Sequence, residues 1–429
     1  MEKFQRNGKR FIIHNRIDMS ETLKFGKGIW ATKVGSTLAY NDEGGNFKPL
    51  PFSFTRSTSA TRVNKDGLIE VVTNNKPRID FLNDSKGALL LEPTRTNLIT
   101  YSEAFDNAYW TKTGSSVVSG FTSPKGDLSA FKLVEDTSTG NHATTRADFG
   151  AGVDLAQYTL SVFAKKGEND LLVVQDGTTG SNAYFNLTNG VVDGITGTGT
   201  ANIKVLLDDW YHCSFTFTQS GVNLRPQIAL SDTTLNGYFP SYTGNGTSGI
   251  YIWGAQLEQA SYATSYIPTQ GSVVTRDAES CNGAGNEQVF NGSEGVLFVE
   301  MSALANDSTT RRVNLRNSSG SNQVRIEFGN SSNLISGVLF NGANQAVINN
   351  TSNNILNSNK IAFKYKENDF ALWINGVKVG TDISGATIGA GILDRIDLSL
   401  SPNQTYSNIK QIKYFNTALT DLQLYNITK

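Results

Sequence analysis

Trp210-Tyr211-His212-Cys213-Ser214-Phe215-Thr216-Phe217-Thr218 alternates without a break. Tyr211, Cys213, Phe215 and Phe217 fall on one side, and His212, Ser214, Thr216 and Thr218 on the other. A period of two belongs to a β-strand with one face in a core and the other turned outward. Upstream, Tyr158, Leu160, Val162 and Ala164 share a face in the same way. Downstream, Tyr251, Trp253, Ala255 and Leu257 are expected to line one side of a strand. Near the C-terminal end, Ile361, Phe363 and Tyr365 alternate with Ala362, Lys364 and Lys366, and Phe370, Leu372 and Ile374 with Ala371 and Trp373. Gaps rich in Gly, Asn and Asp separate these runs. The pattern predicts an all-β chain of tandem jelly-roll or β-sandwich modules.

Composition agrees. The 429 residues allow two or three domains. Only 17% are charged and 41 are Gly, which suits strands joined by polar turns. A net charge of -1 gives no global field for nucleic acid or an anionic membrane, so neither is expected as a partner. No run approaches the roughly 20 apolar residues of a membrane span. Met1 to Asn15 is polar and basic, without the apolar core of a cleaved signal, so assembly in a cytoplasm is the expectation. Cys213 and Cys281 make neither a disulfide framework nor a zinc spacing. Cys213 reads as a buried thiol, and a bridge between the two stays open.

The chain divides into five stretches. Residues 1–50 form a basic N-terminal attachment region; up to Tyr40, eight Lys and Arg stand against three acidic residues. They read either as a docking arm for an acidic partner surface or as a solvated terminus. Residues 51–97 form an adaptor of short strands. It contains turn chemistry at Asn64-Lys65-Asp66-Gly67 and Asn74-Asn75-Lys76-Pro77, and short apolar runs at Ile79–Leu82 and Ala88–Leu91. Arg62, Arg78 and Arg95 recur there beside Asp66, Asp80 and Glu92, a supply of bidentate pairs able to pin irregular backbone. Residues 98–278 form the first module. Residues 279–293, with Cys281-Asn282-Gly283-Ala284-Gly285-Asn286-Glu287, read as a flexible linker. Residues 294–429 form the second module, with a type I′ hairpin turn at Asn375-Gly376 and a short terminal helix capped by Thr420.

Several words carry a resemblance. Thr58-Ser59-Ala60-Thr61-Arg62-Val63-Asn64 with Asp66-Gly67-Leu68-Ile69-Glu70, Pro77-Arg78-Ile79-Asp80, and Leu89-Leu90-Leu91-Glu92-Pro93-Thr94-Arg95-Thr96-Asn97-Leu98 resemble the adaptor segment of bacteriophage virion proteins. Ser161-Val162-Phe163-Ala164-Lys165, Asp209-Trp210-Tyr211, Tyr251–Glu258 and Val274-Thr275-Arg276 resemble the carbohydrate-binding-module-like jelly roll that follows it. Trp373-Ile374-Asn375-Gly376 and Ile409–Leu424 resemble laminin-G/concanavalin-A-like domains. The resemblance implies a structural virion protein, a head or tail fibre, made in the host bacterial cytoplasm. It implies docking to capsid or tail proteins through the N-terminal region, a homotrimer, and adhesion to host-surface carbohydrate. A non-adhesive decoration or adaptor protein is the alternative, and a glycan depolymerase a third reading.

The residues themselves point away from catalysis. His14, His142 and His212 lie in no metal spacing, and neither a nucleophile elbow nor a P-loop is present. No catalytic residue and no enzyme activity is therefore expected. Asp208-Asp209 is a carboxylate pair in a turn. Structural calcium is the one cofactor considered, with Asp127, Asp136 and Asp154 as candidates by loop position. The long polar loop Asn236–Gly249 makes Tyr238, Phe239 and Tyr242 the candidate carbohydrate contacts, with Tyr109 and Trp110 a second aromatic pair.

Overall fold

A computed structural model describes residues 21–41, 48–82, 84–146, 150, 152–235, 237, 240–400 and 403–429. The fold is all-β, made of antiparallel sheets. Among the described residues, no helix is long and apolar enough to cross a membrane.

The first module is a sandwich of two six-stranded sheets. One sheet runs Thr111–Thr113, Ala143–Thr145, Pro226–Ser231, Leu171–Asp176, Ser181–Asn186, Val191–Thr196. The other runs Ser115–Phe121, Ala130–Glu135, Gly249–Glu258, Gln157–Lys165, Trp210–Thr218, Thr200–Val205. Tyr158, Leu160, Val162, Cys213, Phe215 and Phe217 enter the core between them, as the alternation requires. Both cysteines are free and buried, Cys213 in this core.

One strand departs from its expected face. Along Gly249–Glu258, Ile250 and Ile252 point into the core, and so do Ala255 and Leu257. Trp253 instead packs on the outer face with Phe163 and Tyr266. The pairing with Gln157–Lys165 shifts register between Ser161 and Phe163, and Gly254 takes a φ of 64°. A bulge adds one residue and so exchanges the two faces, which simple alternation cannot register.

The module hangs on a two-stranded neck. Its incoming strand Arg95–Asn97 pairs with its outgoing strand Val274–Arg276, Asn97 opposite Val274. Most of the described strands outside the neck belong to one other unit; the hairpin Ala60–Val63 with Ile69–Val72 is a separate sheet whose Val63 and Ile69 pack on Phe163 and Trp253 of the first module. The strand Leu23–Gly26 pairs with Ser407–Phe415, and Ala88–Leu91 pairs with the same strand. Lys48–Thr55 lies between Ser36–Asn41 and Ser280–Ala284. Phe25, Phe52, Phe54, Leu89 and Leu91 share a core with Leu297, Val313, Phe363 and Tyr414.

This arrangement corrects three expectations. The second module is not residues 294–429 alone but a discontinuous sandwich that the first module interrupts. The described part of region 1–50 is built into that sandwich; residues 1–20 lie outside the described residues. The stretch 279–293 is no flexible linker: Ser280–Ala284 is a strand, and Cys281, Ala284, Val289 and Phe290 are buried. Small residues there allow close strand packing, a use of Gly and Ala that composition cannot tell from flexibility.

Local signals fared better. Ala88–Leu91 is buried throughout. Asn375 and Gly376 both take positive φ, 50° and 80°, as a type I′ turn demands. Thr420 caps the helix Asp421–Thr428 in a reciprocal capping box with Gln423.

Candidate functional site

Where the neck meets the discontinuous sandwich, ionic side chains converge out of water. Arg78 donates Nε to Glu279 Oε1 at 2.7 Å and Nη2 to Glu279 Oε2 at 2.5 Å. Arg56 Nη1 reaches Glu279 Oε1 at 2.7 Å. Glu92 Oε2 lies 2.8 Å from Arg78 Nη2 and 3.1 Å from Arg276 Nη1. Ser265 completes the shell of Glu92 with its N–H and its hydroxyl. All five charged side chains are buried. Burial works to raise the Glu92 carboxyl, but Arg276 and Arg78 hold it at about 2. Burial works to lower the Arg78 guanidinium, but Glu279 and Glu92 drive it above its ordinary value. Burial lowers Arg56 in spite of Glu279. Every carboxylate oxygen here faces a fixed guanidinium donor or a backbone or hydroxyl donor, so the cluster is a clamp and offers no free acid or base.

Of the arginines singled out from sequence, only Arg78 joins this clamp. Arg62 pairs with Glu70 at 2.6 Å rather than with Asp66. Arg95 sits over the Tyr262 ring, 5.6 Å from its centroid. Asp80 accepts the N–H groups of Val63 and Leu82. Arg56, Arg276 and Glu279 were not singled out; their partners stand across the neck, and local spacing carries no mark of them.

Of the three candidate sugar contacts, Tyr242 alone lies among the described residues. Tyr238 and Phe239 lie outside the described residues. Tyr242 is no open platform. Its ring packs on His142 with centroids 4.5 Å apart, and its hydroxyl donates to Glu135 Oε2 at 2.6 Å. Glu135 also accepts from Asn169 Nδ2 and from the N–H of Asn245, so this cluster fixes the loop's base. Trp110 is buried, its Nε1 donating to the Tyr101 carbonyl, and Tyr109 carries Arg146 over its ring. The outer face of the Ala143–Thr145 sheet bears a row of linked amides, Asn141, Gln227, Gln175 and Asn182. The Gly237 carbonyl accepts from Tyr184 Oη at 2.7 Å and Asn182 Nδ2 at 3.2 Å, so backbone already lies on that face.

The carboxylates raised as calcium candidates serve their own turns. Asp127 takes the hydroxyls of Ser123 and Ser129, Asp136 that of Ser138, and Asp154 the N–H of Gly221. Among the described residues no three His, Cys, Asp or Glu side chains group as metal ligands do, so these carboxylates do not fit a shared ion. Asp208 and Asp209 occupy an exposed turn, both with positive φ.

A cleft of about 500 Å³ opens instead between the outer face of the first module, the adaptor and the discontinuous sandwich. Its floor comes from two paired strands, where Lys204 stands opposite His212 and Asn202 opposite Ser214. Asn202 and Lys204, two residues apart, project the same way. Asp80 and Glu92 line the adaptor side; Asn357, Ser358, Asn408 and Lys410 line the far wall. His212 stacks on Phe163 at 4.6 Å. Burial, with the Lys204 charge behind it, pushes the His212 imidazole down to about 3, so the ring is neutral near pH 7. Burial also lowers the Lys204 ammonium, while Glu92 and Asp80 pull it upward. Sequence reading assigned His212 to the outward face correctly but left it a surface or packing residue, and it did not single out Lys204.

No protein-family model matches the chain, and no curated protein matches its sequence. Among solved structures it is similar to the CBM40 of the Ruminococcus gnavus IT-sialidase, with 14% identity and a TM-score of 0.29 over 34% of this chain and 94% of that one. It is similar to domain 4 of AbnA, a GH43 extracellular arabinanase of Geobacillus stearothermophilus in complex with arabinotriose, with 11% identity and a TM-score of 0.29 over 35% and 73%. It is also similar to the Trypanosoma rangeli sialidase in complex with sialic acid, with 10% identity and a TM-score of 0.26 over 92% and 65%. The likeness is one of all-β fold.

Proposed function

We propose that this chain is a non-catalytic structural protein of a bacteriophage virion, a head or tail fibre, that contributes to adhesion on host-surface carbohydrate. The observation that carries this reading is the clamp. Arg78 and Glu92, from the words that resemble virion adaptors, meet Glu279 and Arg276 beyond the module and tie the two β-units through buried ion pairs. Units tied in that way display a surface. The cleft carboxylates Asp80 and Glu92 are held by backbone donors and arginines, which supports binding without turnover there. The cleft, walled by amides and hydroxyls, supports a glycan as the bound species. A homotrimer would add avidity, three weak sites acting at raised effective concentration.

Cryo-electron microscopy of purified virions, paired with a glycan array of the purified chain, tests the reading. Trimeric projections, glycan binding and no release of reducing ends are the expected result. Projections without glycan binding favour the non-adhesive decoration or adaptor protein. Absence from particles, or release of reducing ends, overturns the proposal.

A further inference from the structure

We propose that the cleft over Lys204 and His212 takes the carboxylate-bearing end of an acidic oligosaccharide, with the Lys204 ammonium facing the carboxylate. The inference rests on the adhesive reading above and names the site and ligand class within it.

The charge balance of the cleft carries the argument. Its acidic groups are already engaged. Asp80 accepts two backbone N–H groups, Glu92 is held by Arg78 and Arg276, and Asp84 pairs with Lys410 at 3.0 Å. Its other cations are engaged too, Lys410 with Asp84 and Arg62 with Glu70. Among the described residues, Lys204 Nζ has no hydrogen-bond or ion-pair partner. The Lys204 side chain is half-buried on a strand whose neighbours fix its direction, so its charge is presented to the cleft.

The surrounding groups are those that hold sugar hydroxyls. The side-chain amides of Asn202, Asn357 and Asn408 line the cleft and make no hydrogen bond to a described residue. Each offers a donor and an acceptor, the pairing that a hydroxyl satisfies. The neutral His212 ring adds one of each. A volume of about 500 Å³ lies in the range of small-ligand sites. An ammonium with no hydrogen-bond or ion-pair partner among the described residues, beside neutral amides, suits an anion that carries hydroxyls, which is the chemistry of a sugar acid.

The test uses the full chain and a panel of uronate-bearing oligosaccharides, each with its carboxyl-reduced counterpart, measured by calorimetry. The parent chain is expected to bind an acidic member and to lose roughly tenfold or more in affinity for its reduced counterpart, the scale of one charge-assisted contact. Lys204→Met should give the same loss on the acidic ligand, and Lys204→Arg should restore most of it. Unfolding midpoints of both variants guard against a folding defect, and Asn408→Ala offers a second probe on the opposite wall. Equal binding of acidic and reduced sugars, unaltered by Lys204→Met, overturns the cleft assignment and leaves adhesion standing. Failure to bind any glycan on a broad array overturns both.

Discussion

Arg78 and Glu279, 201 residues apart in sequence, meet through two parallel hydrogen bonds with both side chains fully buried. The first module is strung between them, leaving through Arg95–Asn97 and returning through Val274–Arg276. The pair therefore closes the chain on itself at the point where the two β-units touch. The guanidinium fork fixes orientation as well as distance, which a point charge would not.

Breaking the pair on one side should be costly. Arg78→Met leaves Glu279 short of its main partner, and Glu279→Gln leaves Arg78 and Arg56 facing an amide. Each single change is expected to lower stability by about 3–5 kcal/mol. The double change should cost less than the sum of the two, because each single change strands a charge that the double change removes. Urea unfolding of the three variants checks this. Single variants as stable as the parent would show that the clamp does not hold the units together.

Stability should fall in acid in two stages. His212 sits near 3 in the fold against 6.5 ordinarily, so the unfolded chain takes up its proton first. Its contribution is complete above about pH 6.5 and is lost as pH falls toward 3. Glu92, near 2 against 4.5, adds a second loss between about pH 4.5 and 2. Asp80 and Glu258, raised by burial, act in the opposite sense above their ordinary values of 3.8 and 4.5, so they offset part of the upper stage and the His212 share is read as the difference between parent and variant. Thermal unfolding across pH should show the upper stage in the parent and its loss in His212→Phe.

Tyr242 should behave as a structural residue. Tyr242→Phe removes one of the donors on Glu135 and is expected to cost about 1–3 kcal/mol. Glycan affinity should stay within twofold or so, since the ring remains packed on His142. A large loss of affinity without loss of stability would return Tyr242 to the role that sequence reading gave it.

A chain cut down to residues 294–429 should not fold. It lacks Phe25, Phe52, Phe54, Leu89, Leu91 and Cys281, whose side chains fill the same core. It also bares one edge of Ser407–Phe415, which Leu23–Gly26 and Ala88–Leu91 cover in the full chain, while Glu294–Ala303 still pairs with the other edge. Circular dichroism and amide exchange of the fragment, beside the full chain, check this. A cooperative, native-like fragment would mean that the N-terminal strands are accessory.

Much of the local structure was legible from the chain itself. Period-two alternation placed Tyr158, Leu160, Phe215 and Phe217 in a core, because a strand's side chains leave its two faces in strict turn. Asn375-Gly376 and Thr420 declared a turn and a helix cap, because φ > 0 and capping bonds are satisfied within a few residues. The all-β class followed from these. The tertiary structure alone decided which strand pairs with which. Leu23 opposite Tyr414 and Cys281 opposite Phe54 are choices among many apolar strands of similar period, settled by burial of a shared core. It alone brought Arg56, Arg78, Glu92, Arg276 and Glu279 together, since a charge pair worth forming out of water carries no periodic signature. It also left Lys204 without an ion-pair partner among the described residues, because what balances a charge depends on the three-dimensional neighbours that folding supplies.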